Sequence, residues 1–78
     1  MNKKQEVQMI LTRIHSHEYT VKIKDDYYRL TKMEHVQNWD IEKFNPDSVR
    51  EFDYEITFTT LKECKNYLLK KYTTQEVQ

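Results

Sequence analysis

Hydrophobic and polar residues change period several times along this chain of 78 residues, and each change marks an expected element. Val7, Ile10, Leu11 and Ile14 recur at i, i+3, i+4 and i+7, so residues 3–16 are expected to form an amphipathic helix capped by Asn2. From Tyr19 the period falls to two. Tyr19, Val21 and Ile23 alternate with Thr20, Lys22 and Lys24, Asp25-Asp26 interrupts, and Tyr27 to Lys32 follow. With Asp25-Asp26 as a two-residue hairpin loop, Ile23 faces Tyr28 and Val21 faces Leu30 on an apolar side, while Lys24 faces Tyr27 and Lys22 faces Arg29 on a polar one.

Trp39 and Ile41 alternate with Asp40 and Glu42, which predicts a third strand near 36–44, ended by Asn45-Pro46. Residues 46–52 are expected to be a loop or a single turn, which Asn45 can cap, with Pro46 in its first position and Val49 and Phe52 on one side. A fourth strand is expected where Tyr54, Ile56 and Phe58 alternate with Glu55, Thr57 and Thr59. Thr60 and Glu63 then form a capping box ahead of an apolar stripe of Leu61, Cys64, Leu68 and Tyr72, so 61–72 reads as a helix. The expected fold is α+β: a single domain over 1–78, with an antiparallel sheet of three or four strands and an N-terminal and a C-terminal helix on one face, in the order α-β-β-β-β-α. Its other face is left open to a partner. Residues 73–78 lose the period and are expected to fray.

Composition excludes several function classes. The chain has no glycine, no alanine and one proline, Pro46, where ordinary usage would give about nine glycines and prolines together. Glycine-dependent phosphate loops and dinucleotide turns cannot be built from it. Lysine (ten), tyrosine (six) and isoleucine (five) fill the space instead and have AT-rich codons, which points to a low-GC bacterium, its phage or a mobile element. The lone Cys64 can form no intramolecular disulfide and no zinc ribbon, which fits a reducing cytoplasm. The amphipathic start and the absence of an apolar run near the roughly 20 residues of a membrane span predict neither export nor membrane insertion. A core this small rarely supplies more than about 3–5 kcal/mol, so a homo-oligomer is a natural expectation.

Charge sums to zero but is segregated. Residues 1–33 hold seven bases and four acids, 34–55 hold two bases and seven acids, and 61–72 hold four bases and one acid. Two candidate surfaces follow. The outward side of the 19–32 hairpin carries Lys22, Lys24, Tyr27 and Arg29 with no acid among them, an arrangement suited to phosphates and stacked bases. The acidic segment offers Asp40, Glu42, Glu51, Asp53 and Glu55 to a protein partner, of the host or of the same chain.

Other constellations carry less. His15 and His17 would point to different sides of a helix, and His35 is remote in sequence, so no metal is expected. Asp40/Glu42 and Asp53/Glu55 each share a solvated strand face without a cleft, and Cys64 lies on an apolar stripe, so neither catalytic residues nor a cofactor are expected. Phe58-Thr59-Thr60-Leu61-Lys62-Glu63-Cys64 resembles the strand-to-helix joint of the arm-type DNA-binding domains of phage integrases, with Cys64 in place of their alanine. That resemblance implies a sheet packed on a helix, its free face entering the major groove. The same joint also follows from burial of Phe58 and capping by Thr60 alone. Together these readings predict a small cytoplasmic, non-enzymatic binding protein, plausible as an accessory factor of a phage or mobile element that docks on a protein, with nucleic-acid binding by the hairpin as the alternative.

Overall fold

A computed structural model describes residues 8–74. Five strands precede one helix: β1 (Met9–His15), β2 (Glu18–Ile23), β3 (Asp26–Lys32), β4 (Trp39–Phe44), β5 (Phe52–Phe58) and α1 (Leu61–Thr74). The strands form an antiparallel meander in sequence order, and α1 packs on one face. The core is built where the alternation placed it: Val21 and Ile23 from β2, Tyr28 and Leu30 from β3, and Trp39 and Ile41 from β4 meet Cys64, Leu68 and Tyr72 of α1.

The order α-β-β-β-β-α with two helices does not hold. Residues 9–15, read as the second half of an N-terminal helix, are a strand hydrogen-bonded to β2, with Met9 opposite Ile23 and Leu11 opposite Val21. Of the rest of that expected helix, Ser16 lies in the β1–β2 turn and Gln8 has no regular structure, while the residues before Gln8, Asn2 included, lie outside the described residues. Two physical reasons favour the strand. Ile10, Thr12 and Ile14 are β-branched, and β2 presents an edge whose backbone groups need partners. The helical spacing was fortuitous: Ile10 and Ile14 are largely exposed, while Met9 and Leu11, two apart, lie against the core.

The expected hairpin forms, two residues out of register. Val21 lies opposite Tyr28, Tyr19 opposite Leu30, Lys22 opposite Tyr27 and Thr20 opposite Arg29, so the turn is Lys24-Asp25 and not Asp25-Asp26. A slip of two keeps the strand side chains on their expected faces, because the strand period is two, and moves Lys24 out of the strand into the turn. Without glycine, the left-handed backbone of such a turn falls to Lys24 (φ 56°), and that of the β4–β5 loop to Glu51 (φ 70°). For a non-glycine residue this conformation is strained by roughly 1–2 kcal/mol.

The capping box closes as expected. The Glu63 amide donates to Thr60 Oγ1 at 3.1 Å, and the Thr60 amide donates to Glu63 Oε1 at 3.2 Å. Asn45 caps the turn over 46–51, its Oδ1 accepting from the Asp47 amide at 3.0 Å, while Val49 is fully exposed and Phe52 opens β5.

Candidate functional site

The helix covers one face of the sheet, and the opposite face carries the hairpin residues singled out above. Strand pairing sets Thr12, Thr20, Arg29, Glu42 and Tyr54 in one row across all five strands. Consequently Arg29 meets an acid. Its Nε donates to Glu42 Oε1 at 2.8 Å, and its guanidinium lies 4.1 Å from the Phe52 ring, which makes an edge-to-face contact with Phe44 at 5.5 Å. Lys22 sits 5.7 Å from the Tyr27 ring on the same face. Asp40 accepts from Thr57 Oγ1 at 2.6 Å, which leaves the Tyr54 hydroxyl to donate to Thr57 at 2.7 Å. The face is thus a mixed surface of aromatic rings and internally paired charges, with Tyr27, Phe44 and Tyr54 partly open to solvent.

The structure divides the two candidate sets. Lys22, Tyr27 and Arg29 share the outer face, and Lys24 occupies the turn beside it. Of the acids, Asp40 and Glu42 lie on that same face, Glu51 lies in the β4–β5 loop, and Asp53 and Glu55 lie near the helix side. Glu55 is turned there by a bulge: Ile41 pairs with Ile56 and Glu42 with Tyr54, so Glu55 is the extra residue between them. It accepts from Lys71 Nζ at 2.6 Å and from the Tyr67 hydroxyl. The expectation that Asp53 and Glu55 share a solvated strand face therefore does not hold for Glu55.

Around Glu55 lies a polar network that sequence patterning did not reveal. The Tyr72 hydroxyl donates to Asp26 and is hydrogen-bonded to Tyr28, whose hydroxyl also receives Lys71 Nζ at 3.4 Å. Burial pushes Tyr72 up from the ordinary tyrosine range, with Asp26 and Tyr28 adding to it. Burial also raises Glu55, but the bonds from Lys71 and Tyr67 outweigh it and hold the carboxyl below its ordinary value. For Lys71 burial favours the neutral amine, and Glu55 and Tyr28 reverse that and raise it. The available signal was Tyr72 itself, since a buried tyrosine hydroxyl requires a partner.

Asp26, Lys43, Asn45, Asp53, Tyr54 and Glu55 border an open cleft of about 520 Å³ at the end of the sheet. Its polar groups bind one another: Asn45 Nδ2 donates to Asp53 at 2.8 Å, and hydrogen bonds from Asn45 and Ser48 lower the Asp53 carboxyl. The histidines are not at a helix end. His15 closes β1 and His17 sits in the β1–β2 turn, where the His17 amide donates to His15 Nδ1 at 3.1 Å. Among the described residues no three His, Cys, Asp or Glu side chains are placed to hold a metal ion. Nor, among them, is any helix long and apolar enough to cross a membrane. No family model matches the chain, and neither a curated protein nor a solved structure does.

Proposed function

We propose that this chain is a non-enzymatic binding module that docks on a protein through the outer face of its sheet. The observation that carries this reading is the Arg29–Glu42 pair. A nucleic-acid face needs cations free to meet phosphates, and here the central arginine is held by a carboxylate and stacked on Phe52, with Asp40 two residues along the neighbouring strand on the same face. Exposed aromatic rings among paired charges suit a protein surface, where aromatics supply the contact area and charges select the partner. The candidate acids support the same reading only in part, since Asp40 and Glu42 alone lie on this face. Each acid of the two carboxylate pairs is hydrogen-bonded to a neighbouring side chain, which favours a structural role for them over a catalytic one. A buried lone thiol fits a reducing compartment, and the AT-rich residue usage fits an accessory factor of a phage or mobile element.

The test is affinity capture from the source organism with wild type and with the Phe44→Ala/Tyr54→Ala variant, beside a salt titration against random DNA and RNA. The expected result is a protein retained by wild type and released by the variant, with no salt-steep nucleic-acid binding. Tight binding of nucleic acid that weakens steeply with salt, and that is abolished by replacing Lys22, Lys24 and Arg29 with glutamate, would overturn the reading.

A further inference from the structure

The two edges of the sheet differ, and the difference selects a partner. β1 and β5 are the outer strands, and among the described residues neither has a further strand along its free side. β5 carries Asp53 and Glu55, is interrupted by the bulge at Glu55 and is flanked by α1. Charge, bulge and an adjoining helix are the devices that keep a sheet edge from pairing. Laid antiparallel on itself about its centre, β5 would also bring acids of the two copies together. From Met9 to Arg13, by contrast, the ladder of β1 is regular and holds one charge, Arg13, at its end. Ile10 is 58% exposed there, and Met9 and Leu11 are only half-covered at the rim of the core.

We propose that β1 pairs antiparallel with β1 of a second copy of this chain about a two-fold axis at Leu11, joining two five-stranded sheets into one of ten strands. In this register Leu11 lies opposite its own counterpart, Ile10 opposite Thr12, and Met9 opposite Arg13 of the other copy. No like charges meet, and the two half-covered core rims become continuous. The contact is isologous and closes at two copies, so it consumes the open edge without growing into a fibre. The regular stretch spans about 17 Å, which places the interface at the small end of the range and makes the dimer concentration-dependent. This pairing does not depend on what the outer face binds.

Sedimentation of the full chain over a dilution series tests it. Wild type is expected to pass from monomer to dimer as concentration rises. In the Ile10→Glu/Thr12→Glu variant the first new carboxylate sits opposite Lys22 within its own chain, which the monomer accommodates, but the new acids of the two copies face each other across the axis. Dimerisation is expected to weaken on the order of tenfold or more, and to recover in Ile10→Glu/Thr12→Lys, where opposite charges meet. Hydrogen exchange of the unmodified chain gives a readout that no variant can spoil by misfolding: among residues 9–13 the alternate amides that point away from β2 gain protection with concentration, while those of β5 do not. A wild type that stays monomeric at its highest soluble concentration, a dimer indifferent to the double-glutamate change, or protection appearing elsewhere would overturn the proposal.

Discussion

Tyr28 and Tyr72, 44 positions apart, join hydroxyl to hydroxyl at 2.6 Å in the buried seam between the sheet and the helix. Their rings also meet edge to face at 6.3 Å, so one residue pair ties the middle of the sheet to the last turns of α1. With Asp26 accepting from Tyr72, the start of β3 and the last turn of α1 are held by one polar chain.

Removing either hydroxyl leaves a buried neighbour short of a partner. Tyr72→Phe is expected to destabilise the fold by about 1–3 kcal/mol, and Tyr28→Phe by a similar amount. The double variant should lose less than the sum, because the two changes delete one shared bond. Denaturant midpoints of the four proteins check this, and strict additivity would show that the bond contributes nothing.

Acid should weaken the fold partly through Glu55. Its folded carboxyl lies below the ordinary value of 4.5, so the stability it contributes is present above that value and is lost as pH falls through the folded one. Lys71 works in the opposite sense: raised above 10.5, its contribution is complete below that value and is lost as pH rises through the folded one. Glu55→Gln is therefore expected to lower the melting temperature at neutral pH and to flatten part of the acid limb. Asp53 and Glu63 are also held low and keep the remainder.

Glu51 holds a left-handed backbone that glycine or asparagine tolerates better. Glu51→Asn is expected to stabilise the protein by about 0.5–1 kcal/mol, read as a raised melting temperature.

Thr60→Ala removes one half of the capping box at the start of α1. A loss of roughly 0.5–2 kcal/mol is expected from the denaturant midpoint. An unchanged midpoint would mean that the hydroxyl contributes nothing to the helix start.

Burial, with the charges of Glu63 and Asp40 behind it, pushes the Cys64 thiol up to about 11. At neutral pH it should therefore resist alkylation by iodoacetamide in the folded protein and react at the rate of a free thiol once denatured. Rapid labelling of the native chain would place the thiol at the surface.

What the sequence determined by itself is the set of faces over residues 19–42 and the start of the helix; in β5 the bulge put Tyr54 and Glu55 on the faces opposite to those the alternation gave them. Period-two alternation placed Val21, Ile23, Tyr28, Leu30, Trp39 and Ile41 on one side, and Thr60 with Glu63 marked the helix start, because both signals are local and depend on neighbours in the chain. The hairpin could slip by two without disturbing those faces, so alternation had no power to choose its register. Whether 9–15 was helix or strand was not settled by its apolar spacing, which fits a helix: the β-branched Ile10, Thr12 and Ile14 favour a strand, and the free edge of β2 supplied the partner that decided for it. The candidate site depended most on tertiary structure. Arg29 looked like a free cation until β4 brought Glu42 alongside it, and Glu55 looked solvated until a bulge turned it toward Lys71. Charge pairing and buried hydrogen bonds are set by which strands become neighbours, and that is a property of the assembled sheet and not of any single segment.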